Sequence, residues 1–286
     1  MQGLLFQALF DSALRDIPRQ RIGFYLCENQ GWERAMIHAW RKHGHGKLTG
    51  VAHATLRFWD LRYFDDPRSV RSRGRGALPQ PDKIAVNGEA AFNAARLASF
   101  PAERLVTCEA LRYNYLYHIS SAPGRNRSIT EVSQVLILGD YLAGSNRRML
   151  EMLDEAVGKQ PTGATYTIKP HPNLTVNCSD FPRLNLQVTN DSLALLLPRF
   201  DLAYSSNLTS ASVDAYCAGL KVIVMLDEQE LNFSPLRKCS GVDFVADASA
   251  LATVLKTAKS SELSMEARDY FYLDPELPRW AALLSD

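Results

Sequence analysis

The sequence lacks the marks of several common protein classes. Its cysteines, Cys27, Cys108, Cys178, Cys217 and Cys239, form no CxxC pair and show no zinc-ligand spacing. They are widely scattered and odd in number, which argues against a disulfide framework and fits reduced thiols. Excess charge of either sign is also missing. Lys and Arg number 32 against 31 Asp and Glu, a formal net charge of +1. No global field therefore demands nucleic acid as a partner. No apolar run approaches the length needed to span a bilayer. The amino terminus, MQGLLFQALFDSALRDIPRQR, comes nearest, but Asp11, Arg15 and Asp16 interrupt it. It makes a poor signal peptide and reads as an amphipathic helix packed on a sheet. Internal repeats and low-complexity tracts are missing too.

What remains is an ordinary globular composition. Hydrophobic residues make up 46% of 286, enough to bury a core in one large domain or two small ones. Short apolar runs rich in β-branched residues alternate with longer helical patterns, which predicts parallel βαβ units. In the first half the pattern predicts helices near 2–15, 30–43 and 88–98. Strands are expected near 21–27, 48–53, 83–87 and 104–107. Residues 116–132 carry Ser, Pro, Gly and Arg without an apolar period, and predict a linker. Domains are therefore expected over 1–120 and 133–286. In the second, strands are predicted near 133–140, 164–172, 183–189, 201–206, 221–226 and 242–245. Helices fill the gaps near 144–158, 191–198 and 208–218 and follow at 247–258 and 264–271. The final PELPRWAALL predicts a helix that packs back across the structure.

A basic stretch, Arg57 to Pro81, interrupts the first half. It holds Arg57, Arg62, Arg68, Arg71, Arg73 and Arg75. A loop of this length is either a solvated connection or a functional cover. In the second case its arginines would meet an anionic acceptor or a lipid phosphate surface.

Ligands in open α/β sheets bind beyond the carboxyl ends of the strands. Three such ends in the second half are polar: Gly139-Asp140, Lys169-Pro170-His171-Pro172 and Ser205-Ser206-Asn207. The segment SSNLTS runs from a strand into a helix and offers the hydroxyls of Ser205, Ser206 and Thr209 with free backbone N–H groups. It suits a phosphate, or serves as a plain helix cap. Asp214, two turns into that helix, either reaches a ribose hydroxyl or is a surface carboxylate. Pro170 and Pro172 fix the backbone around His171, so its ring is held in one place. Beside Lys169, a protonated imidazole there would stabilise a phosphate leaving group.

With KPHP after one strand and YSSNLTSASVDAYCAGLKVIVM about thirty residues later, this half resembles the donor-binding half of GT-B glycosyltransferases. The likeness is greatest to bacterial Kdo, sialic acid and capsule polysaccharide transferases. The resemblance implies that His171 meets a CMP phosphate and that Ser205 and Ser206 meet phosphate or the sugar carboxylate. Asn207, Thr209 and Pro172 fall within the same motifs, and Asp214 stands where ribose is held. The usual proline before the next strand is replaced here, Lys221 following Leu220. The first half, CENQGWERAMIHAWRKHGHGKLTGVAHATLRFWDLRYFDDPR, is similar to surface carbohydrate biosynthesis proteins grouped near the Kdo transferases. The resemblance implies a catalytic acid or base at Glu28, which otherwise favours a helix dipole. His53 stands where capsule enzymes carry Gln-His, with Ala52 in place of Gln; it is otherwise a hydrogen-bonded loop or core histidine. Asp140 stands near the carboxylate nucleophile of retaining relatives, or else caps the helix beginning near Gly144.

The expectation is thus an α/β, GT-B-like chain: two Rossmann-like parallel-sheet domains facing a cleft, the first incomplete, with room for three or four strands. It would move Kdo or a related nonulosonic acid from a CMP donor to a surface polysaccharide or lipid-linked glycan. A teichoic-acid-type glycerophosphotransferase, a sugar-nucleotide 2-epimerase and a non-catalytic nucleotide-binding module are the alternatives. No cofactor, no metal and no nucleic acid are expected. The location is expected to be cytoplasmic, with a peripheral membrane contact through Arg57–Arg75 as a variant.

Overall fold

The computed structural model of the chain describes residues 2–57, 60–71, 77–120, 132–227, 229–258 and 264–285. The chain divides into two compact units, Met1–Asn114 with Asp269–Asp286, and Tyr115–Arg268.

The first unit begins α1 (Gln2–Asp16), β1 (Ile22–Leu26), α2 (Gly31–Lys42), β2 (Lys47–Val51), α3 (Pro67–Arg71), β3 (Lys83–Val86), α4 (Glu89–Leu97) and β4 (Leu105–Thr107). The strands form one parallel sheet in the order β1-β2-β3-β4. Helix α2 buries Ile37 and Trp40 against Leu48 of β2. Phe10 of α1 stacks on Trp32 of α2, ring centroids 6.1 Å apart. The buried Glu33 carboxylate starts α2 by accepting the N–H groups of Glu28 and Gln30 at 2.8 and 3.0 Å. A negative charge in the first turn also suits the helix dipole.

The second unit runs α5 (Tyr115–Ser120), β5 (Gln134–Leu138), α6 (Ala143–Lys159), β6 (Thr165–Lys169), β7 (Leu186–Val188), α7 (Leu193–Leu196), β8 (Leu202–Ser206), α8 (Ala211–Cys217), β9 (Lys221–Met225), β10 (Val242–Val245), α9 (Ala248–Thr257) and α10 (Met265–Asp269). Its six-stranded parallel sheet has the order β7-β6-β5-β8-β9-β10. This is the doubly wound arrangement, whose direction of winding reverses between β5 and β8. Val135, Ile168, Tyr204 and Ile223 on the sheet pack with Leu153 of α6 and Leu251 of α9. The Tyr204 hydroxyl, fully buried, donates to the carbonyl of Met149 at 3.2 Å. Burial pushes its ionisation well above the tyrosine range.

The chain then returns to the first unit through α11 (Pro278–Ser285). Glu109, just past β4 and 1% exposed, accepts the N–H groups of Arg279 and Trp280 at 2.9 and 3.0 Å. Its carbonyl accepts the Trp280 indole N–H at 2.9 Å. A Cβ on Gly88 would stand 1.9 Å from the Tyr270 carbonyl oxygen, so only glycine admits this returning strand of backbone. Residues 269–286 therefore belong with the first unit, although the expected limits 133–286 placed them in the second.

Two other expectations change. The predicted linker begins as α5, and the Tyr115 hydroxyl is hydrogen-bonded to Asp214 of α8. Residues 121–131 of it lie outside the described residues. The basic stretch contains α3 and is laced internally. Arg62 pairs with Asp60 and Arg68 with Asp66, both at 2.6 Å. Arg34 of α2 ties the stretch down at two points, bonding Asp65 at 2.7 Å and the Pro79 carbonyl at 2.8 Å. Arg73 and Arg75 lie outside the described residues. Among the described residues no helix is long and apolar enough to cross a membrane.

Candidate functional site

The strand ends of the second unit gather the predicted donor-binding residues on one edge. Lys169 of β6 and Ser205 of β8 both pair in register with Leu138 of the strand between them. Two strand spacings put their backbones about 10 Å apart. His171 and Ser206 extend from the same edge, with the Gly139-Asp140 turn between. That turn touches the KPHP turn closely. The Gly139 N–H donates to the Lys169 carbonyl at 3.0 Å, and a Cβ on Gly139 would lie 3.3 Å from the His171 nitrogen.

Several of these side chains are already occupied. Asp140 is 2% exposed; one carboxylate oxygen accepts from the Leu142 N–H at 2.6 Å, the other from the Ser206 hydroxyl at 2.5 Å. Asn146 clasps its backbone, accepting the Asp140 N–H and donating to its carbonyl. A carboxylate so enclosed is a turn-former poorly placed to attack an anomeric carbon, and it does not cap α6 either, whose N-cap residue is Leu142 and which has no side-chain cap bond. Asn207, 3% exposed, donates to the Leu231 carbonyl at 3.0 Å. The Thr209 hydroxyl accepts the Ala211 N–H. Asp214 is 6% exposed and bonded to Tyr115. It is therefore not the surface carboxylate that one reading of the sequence suggests, and one of its oxygens is already engaged by Tyr115. The Ser205 hydroxyl, fully buried, has no hydrogen-bond partner among the described residues.

His171 and Lys169 are half-buried, and Pro172 is exposed. The His171 Nδ1 accepts the Asn173 N–H at 3.3 Å. That bond assigns the proton of the neutral ring to Nε2, which becomes a donor. Tyr141 meets the ring edge-on, centroids 6.4 Å apart.

On the first unit the structure brings Glu28 and His53 together. They follow the neighbouring strands β1 and β2, whose ends Leu26 and Val51 are in register. Glu28 Oε1 and His53 Nε2 are 3.4 Å apart. The Glu28 side chain is 40% exposed and that of His53 26%. His53 Nδ1 is buried and without a partner among the described residues.

Sequence reasoning missed Asn87, directly after β3, and Glu109, two residues past β4, on this same edge. Asn87 is 2% exposed, and its amide nitrogen has no partner among the described residues. With His53, Phe24, Leu26, Leu111 and Trp280 it lines a cavity of about 350 Å³. The signal available was positional: each lies within two residues of a strand end, as Glu28 does.

No protein-family model matches the chain, and no curated protein sequence matches it. Solved structures do. The Anabaena protein HepE, in complex with UDP and glucose, aligns over 98% of this chain and 81% of its own at 12% identity, TM-score 0.53. CalG4, the calicheamicin glycosyltransferase, aligns over 88% and 70% at 11% identity, TM-score 0.55. At these identities the likeness defines the fold: two parallel-sheet α/β domains of the GT-B glycosyltransferase kind.

Proposed function

We propose that the chain is a glycosyltransferase that moves a sugar from a pyrimidine-nucleotide donor on the second unit to an acceptor hydroxyl on the first. The observation that carries this reading is His171, whose Nδ1 accepts the Asn173 N–H and leaves Nε2 as a donor, on the strand end that also carries Lys169. A positioned N–H and an ammonium are what a departing phosphate needs as negative charge develops on it.

The acceptor oxygen forms the new bond to the anomeric carbon as the bond to the nucleotide phosphate breaks. The acceptor proton passes to Glu28, the more exposed member of the dyad, whose carboxylate is oriented by His53 Nε2. The buried Nδ1 of His53 faces no solvent, which leaves Glu28 as the base. The bond electrons leave on the phosphate, held by His171 and Lys169, so side chains carry the charge. Asp140 has no step in this scheme.

The KPHP and SSN motifs favour CMP-linked Kdo or a related acid as donor, and a surface or lipid-linked glycan as acceptor. A UDP-sugar is the second reading, favoured by the likeness to HepE, which was solved with UDP and glucose. Calorimetric titration with CMP, CDP, UDP and GDP tests both. A response to one pyrimidine nucleotide that His171→Ala weakens about tenfold supports the site. Equal, weak responses to all four, unaltered in the variant, would overturn it.

A further inference from the structure

The basic stretch of the first unit takes no step in the transfer scheme, yet it is fastened to the turn that carries Glu28. That turn leaves β1 through Asn29, whose backbone is left-handed, φ 55°. Such a backbone costs a residue with a Cβ about 1–2 kcal/mol and persists only where surrounding groups hold it. Two groups hold it here. The Asn29 amide nitrogen donates to the Arg62 carbonyl. The Asn29 amide oxygen accepts from the Arg34 guanidinium at 2.5 Å. On the other flank, the Glu28 N–H donates to the buried Glu33 carboxylate at 2.8 Å. Consecutive residues of α2, Glu33 and Arg34, thus tie the chain on both sides of Glu28.

Arg34 reaches three separate places from that helix. The nitrogen that meets Asn29 also meets the Asp65 carboxylate at 2.7 Å, and the other terminal nitrogen donates to the Pro79 carbonyl at 2.8 Å. Its side chain is 18% exposed and that of Asp65 25%, so the pair is shielded from much of the water that weakens surface ion pairs. The planar guanidinium presents its donors in a fixed fork, which a lysine cannot copy. One side chain therefore joins the turn after β1 to two points of the basic stretch.

Glu28 needs such support because its own side chain has little. It is 40% exposed and meets His53 Nε2 at 3.4 Å. A long, exposed carboxylate samples many rotamers unless its backbone aims it. Arg62 and Tyr63 also stand near enough to feel its charge, so a carboxylate released from the turn has another cation to follow.

We infer that Arg34 is a positioning residue for Glu28. Through Asn29 it fixes the left-handed turn that holds the Glu28 carboxylate against His53, with Asp65 and the Pro79 carbonyl as its abutments. The basic stretch then acts as an internal support for that sheet edge. That Glu28 is a base rests on the proposed transfer; that Arg34 orients it does not.

The test needs no substrate. The ring nitrogen resonances of His53 are followed by NMR at fixed pH in the full chain, because they respond to the carboxylate beside Nε2. Glu28→Gln marks the displacement that follows loss of that charge. Arg34→Met should reproduce at least about half of it, as coupled neighbours do. Asn29→Gly should do the same, since glycine takes the left-handed backbone without strain and offers Arg34 no oxygen. Arg34→Lys should resemble Arg34→Met, the charge being kept and the fork lost. Arg68→Gln, in the same stretch and paired with Asp66, should move nothing. Native His53 resonances in the folded Arg34→Met or Asn29→Gly protein would make Arg34 merely structural and overturn the inference, whatever the melting temperature does. So would an equal displacement in Arg68→Gln, a sign of general loosening, or none in Glu28→Gln, a sign that the pair is not in contact. Turnover of Glu28→Gln decides the base separately. Unchanged turnover there, with His53 displaced by Arg34→Met, removes the transfer role and keeps the support; lost turnover with His53 undisturbed does the reverse.

Discussion

The Ser206 hydroxyl donates to the Asp140 carboxylate at 2.5 Å, joining β8 to the turn after β5 where the second sheet reverses its winding. Both residues are buried, and the second carboxylate oxygen holds the Leu142 N–H. Asp140→Ala would strand a buried hydroxyl and a backbone N–H together. The unfolding midpoint in urea should fall by an amount equivalent to about 2–4 kcal/mol. A midpoint that stays fixed while turnover disappears would return this carboxylate to the chemistry.

Glu28 and His53 predict the opposite pattern. Neither is buried in a core, and each follows a strand without supporting it. Glu28→Gln should lower turnover by about 10²–10⁴-fold while leaving the melting temperature within a degree or so. His53→Gln should lower it less, and the double variant should be no worse than Glu28→Gln, since the two act as one unit. Losses that simply multiply would separate their roles.

Glu109 is where a charge, once removed, should be missed most in the first unit. It starts α11 and anchors Arg279 and Trp280 from a position with 1% exposure. Glu109→Ala should cost about 2–4 kcal/mol, because it strands the backbone N–H groups of Arg279 and Trp280 at the start of α11. Trp280 should then move toward water, seen as a red-shifted tryptophan emission in the native baseline.

Alkaline pH should weaken the protein through two thiols. Burial pushes Cys27 and Cys108 up to about 12 from an ordinary 9.0. A raised pKa means that the folded chain keeps a proton which the unfolded chain gives up. The stabilising contribution is therefore whole below the unfolded value and is lost as pH rises from there toward 12. Each thiol costs about 1.4 kcal/mol per pH unit inside that window. Replacing both with Ala should flatten the fall in melting temperature between about pH 9 and pH 11. Iodoacetamide at about pH 8 should leave both unlabelled until the chain unfolds.

The strands were legible because their signal is local. Runs such as QVLIL and KVIVM are continuous apolar stretches, the pattern of parallel strands buried on both faces. Glu28 and His53 were legible for a related reason: each directly follows such a run, and adjacent parallel strands deliver both to one edge. What escaped depends on distant partners. Asp214 looks like a surface carboxylate until Tyr115, 99 residues earlier, is seen to cover it. Glu109 acquires its purpose only from residues 170 and 171 positions later. Helix α8 starts at Ala211 rather than near 208, because the Thr209 hydroxyl and Ser210 carbonyl take the N–H groups of Ala211 and Val213. Ser and Thr compete with helical bonds in this way, and no periodicity registers it.

The return of residues 269–286 to the first unit also sets an order of assembly on the ribosome. Domains commonly mature in the order in which they are translated. Here the half made first cannot close its aromatic wall until the last residues emerge, so the six-stranded half can finish ahead of it. A nascent chain paused before Asp269 would present an open Gly88 groove and a Glu109 without Arg279 to any chaperone within reach.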